Sequence, residues 1–496
     1  MLEKEPMERV ELHCHSKYSK LDGVAAPYDI VKFAQKEGMP AVAITDHGNV
    51  SGFSELEMAT ANASCNVKPL FGMEAYVVND YKKAVYNYRG QDIKTFVVVD
   101  VETTGFSVTC DEIIEIGGIK ICNGEVDDRF HICVNPEINI PEEIEKLTGI
   151  TNERVVDAPY IEEALIKFSE FAQNSVLVAY NAEFVVQFLK AAACRAGISY
   201  LPPYIDTAML CRYLYPYLQR YSLGSVCKNL GIDIQSDYHV MNTATACGMV
   251  FSKVMADLKA KNIGIESVND IITRCTKTFA RTEIYHCTVL TKNLQGKKII
   301  QNMIAQAEQD EARRRRGRNI VSLRELCNNR NNLLLGSGCE AGLLFRAVVS
   351  DQSEKEIEEI AGYFDFIEVQ PHMNNKYLLA DRRYPNIQTE QDLININLKL
   401  ILLGEKLNIP VVATGDVHYL KKEDLFSRNA LLASQGYVEG DDTDLHFRTT
   451  AEMLEAFSYL SEKKAKEIVI NNTNMLASEI AKNGVIILPQ AHTQFH

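Results

Sequence analysis

Val10-Glu11-Leu12-His13-Cys14-His15-Ser16 is a short β-type run that ends in two histidines two residues apart. In an extended chain, residues i and i+2 face the same side, so His13 and His15 point together. The pattern recurs. Ala41 to Thr45 is an apolar strand candidate that closes on Asp46-His47, and the strand candidate Leu70 to Val78 carries Glu74. Ile284 to Leu290 carries His286, and Leu333-Leu334-Leu335 runs into Gly338-Cys339-Glu340. Phe364 to Val369 is a further strand candidate. Ile409 to Ala413 leads to Gly415-Asp416-Val417-His418, again with i,i+2 spacing, and Asp22 follows the first run. Seven strand candidates separated by helical segments such as Ile30 to Glu37 predict an α/β barrel of parallel βαβ units. Such barrels gather side chains at the C-terminal ends of their strands, so positions far apart in sequence converge. Five of the 11 histidines fall at these ends. A single histidine of this kind is more often structural than a ligand. Nine metal-type side chains on all but one strand are not accounted for that way. Imidazoles, carboxylates and one thiolate suit Mn, Zn or Fe rather than Ca.

The barrel rhythm is interrupted. Asn79 to Lys94 is polar and tyrosine-rich, and a new strand starts at Thr95. From there to about Ala260 the chain reads as its own α/β unit, with a hairpin over Ile113 to Val126, helices over Ile161 to Gln173 and Val185 to Ala196, and a helix start at Leu223-Gly224. The expected organisation is a first barrel part at 1–92, an inserted domain at 93–262, a second barrel part at 263–450 and a helical tail at 451–496. Val97-Val98-Val99-Asp100-Val101-Glu102 puts two carboxylates on one strand face, where they can share a cation such as Mg or Mn.

The 496 residues are enough for about three domains at ~150 residues each. The net charge of −14 argues against a basic nucleic-acid coat protein, while a carboxylate-rich metal site that holds phosphate through cations remains compatible with it. The 13 cysteines form no CxxC pair, no apolar run approaches the ~18 residues that cross a bilayer, and the first residues lack a signal-type apolar stretch. A cytoplasmic chain with reduced thiols and no membrane partner is therefore expected. Arg313-Arg314-Arg315-Arg316 is the one strong basic run. It is read either as a solvated helix face or loop, or as a contact for DNA phosphates.

The histidine and acidic motifs, with Ala43-Ile44-Thr45-Asp46-His47-Gly48-Asn49-Val50, Gly72-Met73-Glu74-Ala75-Tyr76 and Ala413-Thr414-Gly415-Asp416-Val417-His418-Tyr419, resemble the PHP (polymerase and histidinol phosphatase) family. Within it, the resemblance is to the PHP domain of PolC-type replicative polymerases, where an exonuclease is likewise inserted. It covers nearly the whole chain. It implies up to three metals: one on His13, His15, Glu74 and Asp416, a second on Glu74, His286 and Cys339, and a third on Asp22, His47 and His418. The insert resembles the RNase H-like DEDDh 3′–5′ exonucleases through Asp100-Val101-Glu102, Ile113-Ile114-Glu115-Ile116-Gly117, Leu147-Thr148-Gly149-Ile150-Thr151 and Ile205-Asp206-Thr207. That resemblance implies a single-stranded DNA 3′ end as partner, with Asn181 and Phe184 contacting it, Asp100 and Glu102 as metal carboxylates and His239 as general base. The second motif departs from the family, since Asn181-Ala182-Glu183-Phe184-Val185 has valine where the family has aspartate, and Tyr180 replaces a histidine. Five residues past His239 stands Ala244, with Thr243 beside it, where another carboxylate is expected. Glu183 and Asp237 are weak substitutes. The insert is thus expected to be impaired as a nuclease. The family's polymerase palm has no room before His496, so the chain is not expected to polymerise DNA alone; a separate polymerase or replisome subunit is an expected partner. Three functions compete: a phosphoesterase or nuclease centred on the PHP-type site, a catalytically silent assembly module, and a small-molecule phosphatase. The inserted nucleic-acid fold argues against the last.

Overall fold

The computed structural model describes residues 8–482 except 20–21, 62, 88–94, 107, 109–110, 198–201, 234–239, 270–282, 316, 351, 353, 382–383, 385 and 435–442. The chain divides into two compact units: Met1–Asn79 with Thr282–Val349 and Glu354–His496, and Asp80–Arg281 with Ser350–Ser353. The strands, numbered in chain order, begin in the first unit with β1 (Ala41–Ile44) and β2 (Lys68–Val78). The second unit holds β3 (Val85–Tyr86), β4 (Thr95–Thr103), β5 (Ile113–Cys122), β6 (Glu125–Cys133), β7 (Val176–Ala179) and β8 (Tyr204–Asp206). The first unit resumes with β9 (Ile284–Thr291), β10 (Arg314–Arg315), β11 (Arg318–Ser322), β12 (Leu333–Gly336), β13 (Ile367–Val369) and β14 (Val411–Ala413).

In the first unit the helix Pro27–Lys36 starts on a proline that needs no donor there, carries Asp29 at its positive end and Lys36 at its negative end, and buries Ile30, Val31 and Ala34. It delivers the chain to β1, every residue of which is buried. β1 runs parallel to β2, β2 pairs with β9, β9 with β12, and β13 runs parallel to β14. Bridges between Gly336 and Phe366, Cys14 and Val417, and Glu11 and Val42 link the remaining neighbours, so the pairing order returns to its start. The segment Val10–His15 makes only these isolated bridges rather than a ladder. Val10, Leu12, Ala43, Leu70, Leu290, Leu334, Phe366 and Val412 share one core, against which Leu476 and Ile480 of the tail also pack.

Two differences from the sequence reading concern this unit. β9 is antiparallel to both β2 and β12. A parallel neighbour requires a crossover that returns the chain to the same end; β9 is entered from the other end, and periodicity carries no signal of direction. The arginine run is not a helix face: Arg314 and Arg315 form β10, an exposed edge antiparallel to β11, and β11 itself had not been expected. Arg313 ion-pairs with Glu325 at 3.1 Å, and Arg316 lies outside the described residues.

The second unit is one six-stranded sheet in the order β3-β8-β7-β4-β5-β6. β4, β5 and β6 form an antiparallel meander, while β7 and β8 add in parallel beside β4. Helices Ile161–Phe171 and Ala182–Arg195 cover one face through Leu165, Phe168, Phe188 and Leu189. Helix Val240–Ala260 covers the other through Val250, Phe251 and Val254. β3, inside the polar stretch read as a break, is the edge strand paired with β8.

Candidate functional site

The first unit gathers all nine proposed metal-type side chains around Glu74. Glu74 stands in the middle of β2, is 1 % exposed, and spreads its two oxygens among five partners. Oε1 lies 2.9 Å from His286 Nδ1, 3.1 Å from Cys339 Sγ and 3.3 Å from His13 Nε2. Oε2 lies 2.5 Å from His47 Nδ1 and 3.8 Å from His15 Nε2. Asp416 Oδ1 is 3.3 Å from His15 Nε2 and 3.5 Å from His13 Nε2. On the far side, Asp22 lies 3.1 Å from His418 Nε2 and 3.5 Å from His47 Nε2. The reversed direction of β9 explains how His286, near its start, arrives here: in the β2–β9 register it stands opposite Tyr76, in the C-terminal half of β2.

The ring orientations are set from behind. His13 Nδ1 bonds Glu368 Oε2 at 2.8 Å, and that carboxylate also accepts from Thr414 Oγ1 at 2.9 Å. His15 Nδ1 bonds Ser19 Oγ at 2.8 Å, and Ser19 is held by Asp46, which also takes the Ser16 amide and hydroxyl. His418 Nδ1 bonds the Asp416 carbonyl at 2.8 Å. With Nδ1 engaged in each case, Nε2 faces the centre, the arrangement that fixes a ligating imidazole. His13 Nε2, His15 Nε2, His47 Nδ1, Asp22 Oδ1 and Glu74 Oε2 are all buried without a well-aligned hydrogen bond, and their near neighbours are one another. Buried polar atoms without good hydrogen bonds are costly, and the overlapping triads His13-His15-Glu74, His47-Glu74-His286 and His15-His47-His418 are close enough to fit divalent cations. Asp416 adopts φ 50, a left-handed conformation unusual for a non-glycine residue, which is the kind of backbone strain held at functional positions. Gly338, with φ +79, admits no side chain, since a Cβ there would meet the His286 carbonyl at 2.8 Å.

The electrostatics match that crowding. Burial opposes ionisation of Glu74 and Asp22, but the surrounding imidazoles prevail and hold both well below the carboxylate range. Burial likewise opposes charge on His13, yet Glu368, Asp416 and Glu74 raise it well above its usual value. His15 is pushed down to about 3 by burial and by His47 and His418. Burial and neighbouring Glu340, Glu74 and Asp416 push the Cys339 thiol up. Glu368 and Ser19 were missed in the sequence. Glu368 had a signal, being the one carboxylate at the apolar end of Phe364 to Val369. Replacing Glu368 by glutamine is expected to weaken Mn²⁺ affinity about 10–100-fold with the fold intact, measured by calorimetric titration.

In the second unit, Asp100 and Glu102 share one face of β4, opposite Gly117 and Glu115 of β5. Burial, then the charge of Glu102, raises Asp100 to about 8; burial, then Glu115, raises Glu102 to about 7. Carboxylates raised in the folded state contribute stability at low pH that is lost as pH climbs from about 4 through these values. The second unit is therefore expected to lose urea resistance between pH 5 and 8, and Asp100→Asn to flatten that slope. Asp206 is committed elsewhere: it caps helix Thr207–Leu214, accepting from the Met209 and Ala182 amides at 3.0 Å each. Val185 and Ala244 are buried in the two apolar cores, and the Tyr180 hydroxyl donates to the Tyr221 carbonyl at 2.6 Å. Asn181 is exposed with φ 56 at the start of its helix, and Phe184 packs on Phe188. Glu183 pairs with Lys82 at 3.0 Å. His239 and Asp237 lie outside the described residues.

Residues 97–240 match the family model described as Exonuclease. Over 95 % of its length the chain is 38 % identical to a DNA polymerase III PolC-type from Clostridium perfringens, covering 32 % of that protein. A second, from Caldanaerobacter subterraneus, is 40 % identical over 95 % of this chain and 33 % of the relative. The chain resembles PolC-type DNA polymerase III. It spans about a third of the length of these curated PolC relatives. Among solved structures, the nuclease domain of 3′hExo, a DEDDh family member bound to rAMP, is 18 % identical, covering 34 % of this chain and 95 % of its own, with a TM-score of 0.31. The PolC-like chain is a mixed α/β protein whose second unit carries the Exonuclease match. Among its described residues no helix is long and apolar enough to cross a membrane.

Proposed function

We propose that this chain is a PolC-like component of DNA replication or repair, cytoplasmic, whose first unit is a PHP-type barrel and hydrolyses phosphoesters in DNA. The observation that carries this reading is the set of buried ligand-type atoms without a well-aligned hydrogen bond, His13 Nε2, His15 Nε2 and His47 Nδ1 gathered at Glu74 Oε1 and Oε2, with Asp22 Oδ1 beyond His47. The nine residues would hold up to three divalent cations, of Mn, Zn or Fe, partitioned as the family resemblance implies. Cations bound there would activate water and stabilise a leaving phosphate oxygen. The chain's own residues supply the rest. Glu74 stays ionised at neutral pH and joins the two halves of the centre. Glu368 and Ser19 keep His13 and His15 from rotating away. The acidic neighbours favour a proton on His13, and burial with acidic neighbours favours one on Cys339, so cations bound there would displace both protons.

The exonuclease domain is, in this reading, catalytically degenerate and retains a role in presenting a single-stranded 3′ end. Two of the four carboxylates that such a domain needs are replaced by core residues, Val185 and Ala244. Asp100 and Glu102 remain able to share one Mg or Mn ion. Asn181, Phe184 and the arginines from Arg313 onward are the proposed DNA contacts.

The test is digestion of 5′-labelled single-stranded DNA with Mn²⁺ by the wild-type chain, His47→Ala and Asp100→Ala. Loss of cleavage in His47→Ala alone is the expected result. Loss in Asp100→Ala alone would make the second unit the nuclease. Bound metal without cleavage in any chain would favour a silent assembly module for a separate polymerase, a reading that the replaced carboxylates also support.

A further inference from the structure

The exonuclease sheet carries a second group of metal-type side chains that the nuclease motifs do not include. Cys133 of β6 is the direct cross-strand partner of Glu115 on β5, and His131 lies two residues earlier on the same face. Glu115 is in turn the cross-strand partner of Glu102. One row across three strands is therefore Glu102, Glu115, Cys133, and the adjacent row is Asp100, Gly117, His131. His131 Nε2 is 2.8 Å from Glu115 Oε1, and Cys133 Sγ is 3.7 Å from the same oxygen. Ligand atoms of all three residues lie within 4.8 Å of one another. Ligands bonded to zinc at ~2.0–2.3 Å are never more than ~4.6 Å apart, so only small side-chain adjustments separate this cluster from a coordination shell.

We propose that Glu115, His131 and Cys133 bind a zinc-class divalent cation on the same sheet face as Asp100 and Glu102. One imidazole, one thiolate and one carboxylate are the donors that this class prefers, and three protein ligands leave a position open to solvent. Glu115 is 1 % exposed and already needs a positive partner. That partner is Arg154, whose Nη2 is 2.6 Å from Oε1 and whose side chain is 36 % exposed. The guanidinium can turn to solvent when a cation takes its place, so Arg154 is a competitor of the metal. The cation also relieves the opposition of two carboxylates, Glu102 and Glu115, facing each other across β4 and β5. Occupancy would thereby favour ionised Glu102. The proposal is independent of any activity in the first unit.

The test is Co²⁺ titration of the full chain carrying Cys339→Ser, which removes the other thiol near a metal-type cluster. A near-ultraviolet thiolate-to-cobalt band is expected. It should vanish on adding Cys133→Ser, weaken at least tenfold in affinity with His131→Ala, and strengthen with Arg154→Met. Absence of the band, or its survival in Cys133→Ser, would overturn the proposal. Zn²⁺ protection of Cys133 from alkylation in the wild-type chain, read by peptide mass, gives a second measurement free of any substitution. Protection is expected, and unchanged alkylation of Cys133 at saturating Zn²⁺ would also overturn it.

Discussion

Glu74→Gln is expected to empty most of the first-unit centre and to lower Mn²⁺-dependent hydrolysis more than a hundredfold. The amide keeps the shape of the side chain but loses the charge that five neighbours share. His286, Cys339 and His13 face one oxygen, and His47 and His15 the other. Outer-shell replacements in metal sites already cost about 10–100-fold, and in the proposed centre Glu74 would sit inside that shell, bridging both halves. In the metal-free chain the same substitution removes a buried counter-charge of His13 and His47, a class of change that costs about 3–5 kcal/mol when one partner of a buried pair is lost. Metal content by plasma mass spectrometry after dialysis against Mn²⁺, with urea melts of the dialysed and metal-free chains, checks both parts. Unchanged metal content would show that Glu74 is not the hub.

Val185→Asp is expected to destabilise the exonuclease domain by about 2–4 kcal/mol without restoring nuclease activity. Val185 is 1 % exposed and shares a core with Val97, Val99, Leu177 and Phe188. A carboxyl group there displaces a packed methyl pair and is drawn into an apolar core. Ala244 remains buried against the opposite face, and Asp206 remains committed to two backbone amides. The measurement is the urea midpoint of the second unit's transition together with Asp100-dependent cleavage. A stable Val185→Asp chain that gains such cleavage would mean that the site lacks only one carboxylate.

The metal-type residues were legible because they recur at strand ends with i,i+2 spacing, and no common structural role places His13/His15 and Asp416/His418 in that pattern. The apolar runs of β1, β2, β12 and β14 were legible for the same reason that they are buried. Direction was not. Nothing in Ile284 to Leu290 states that β9 runs against its neighbours, because an antiparallel and a parallel buried strand have the same composition. The groups behind the histidine rings were hidden differently. Ser19 and Glu368 act through hydrogen bonds to His15 and His13 from positions 4 and 355 residues away, and spacing cannot announce the longer of these. β10 and β11 escaped because an arginine-rich run reads as solvated surface, which Arg314 and Arg315 are, while also forming an edge strand. The Glu115–His131–Cys133 cluster needs the β5–β6 register, which a hairpin reading alone leaves open.

The most direct test of the metal-centre account is a crystal of the full chain soaked in Mn²⁺ and measured at the manganese absorption edge. Anomalous density among His13, His15, Glu74 and Asp416, with further density toward Asp22, His47 and His418, is the predicted result. A well-ordered site with those side chains in place and no anomalous density at saturating Mn²⁺ would contradict it.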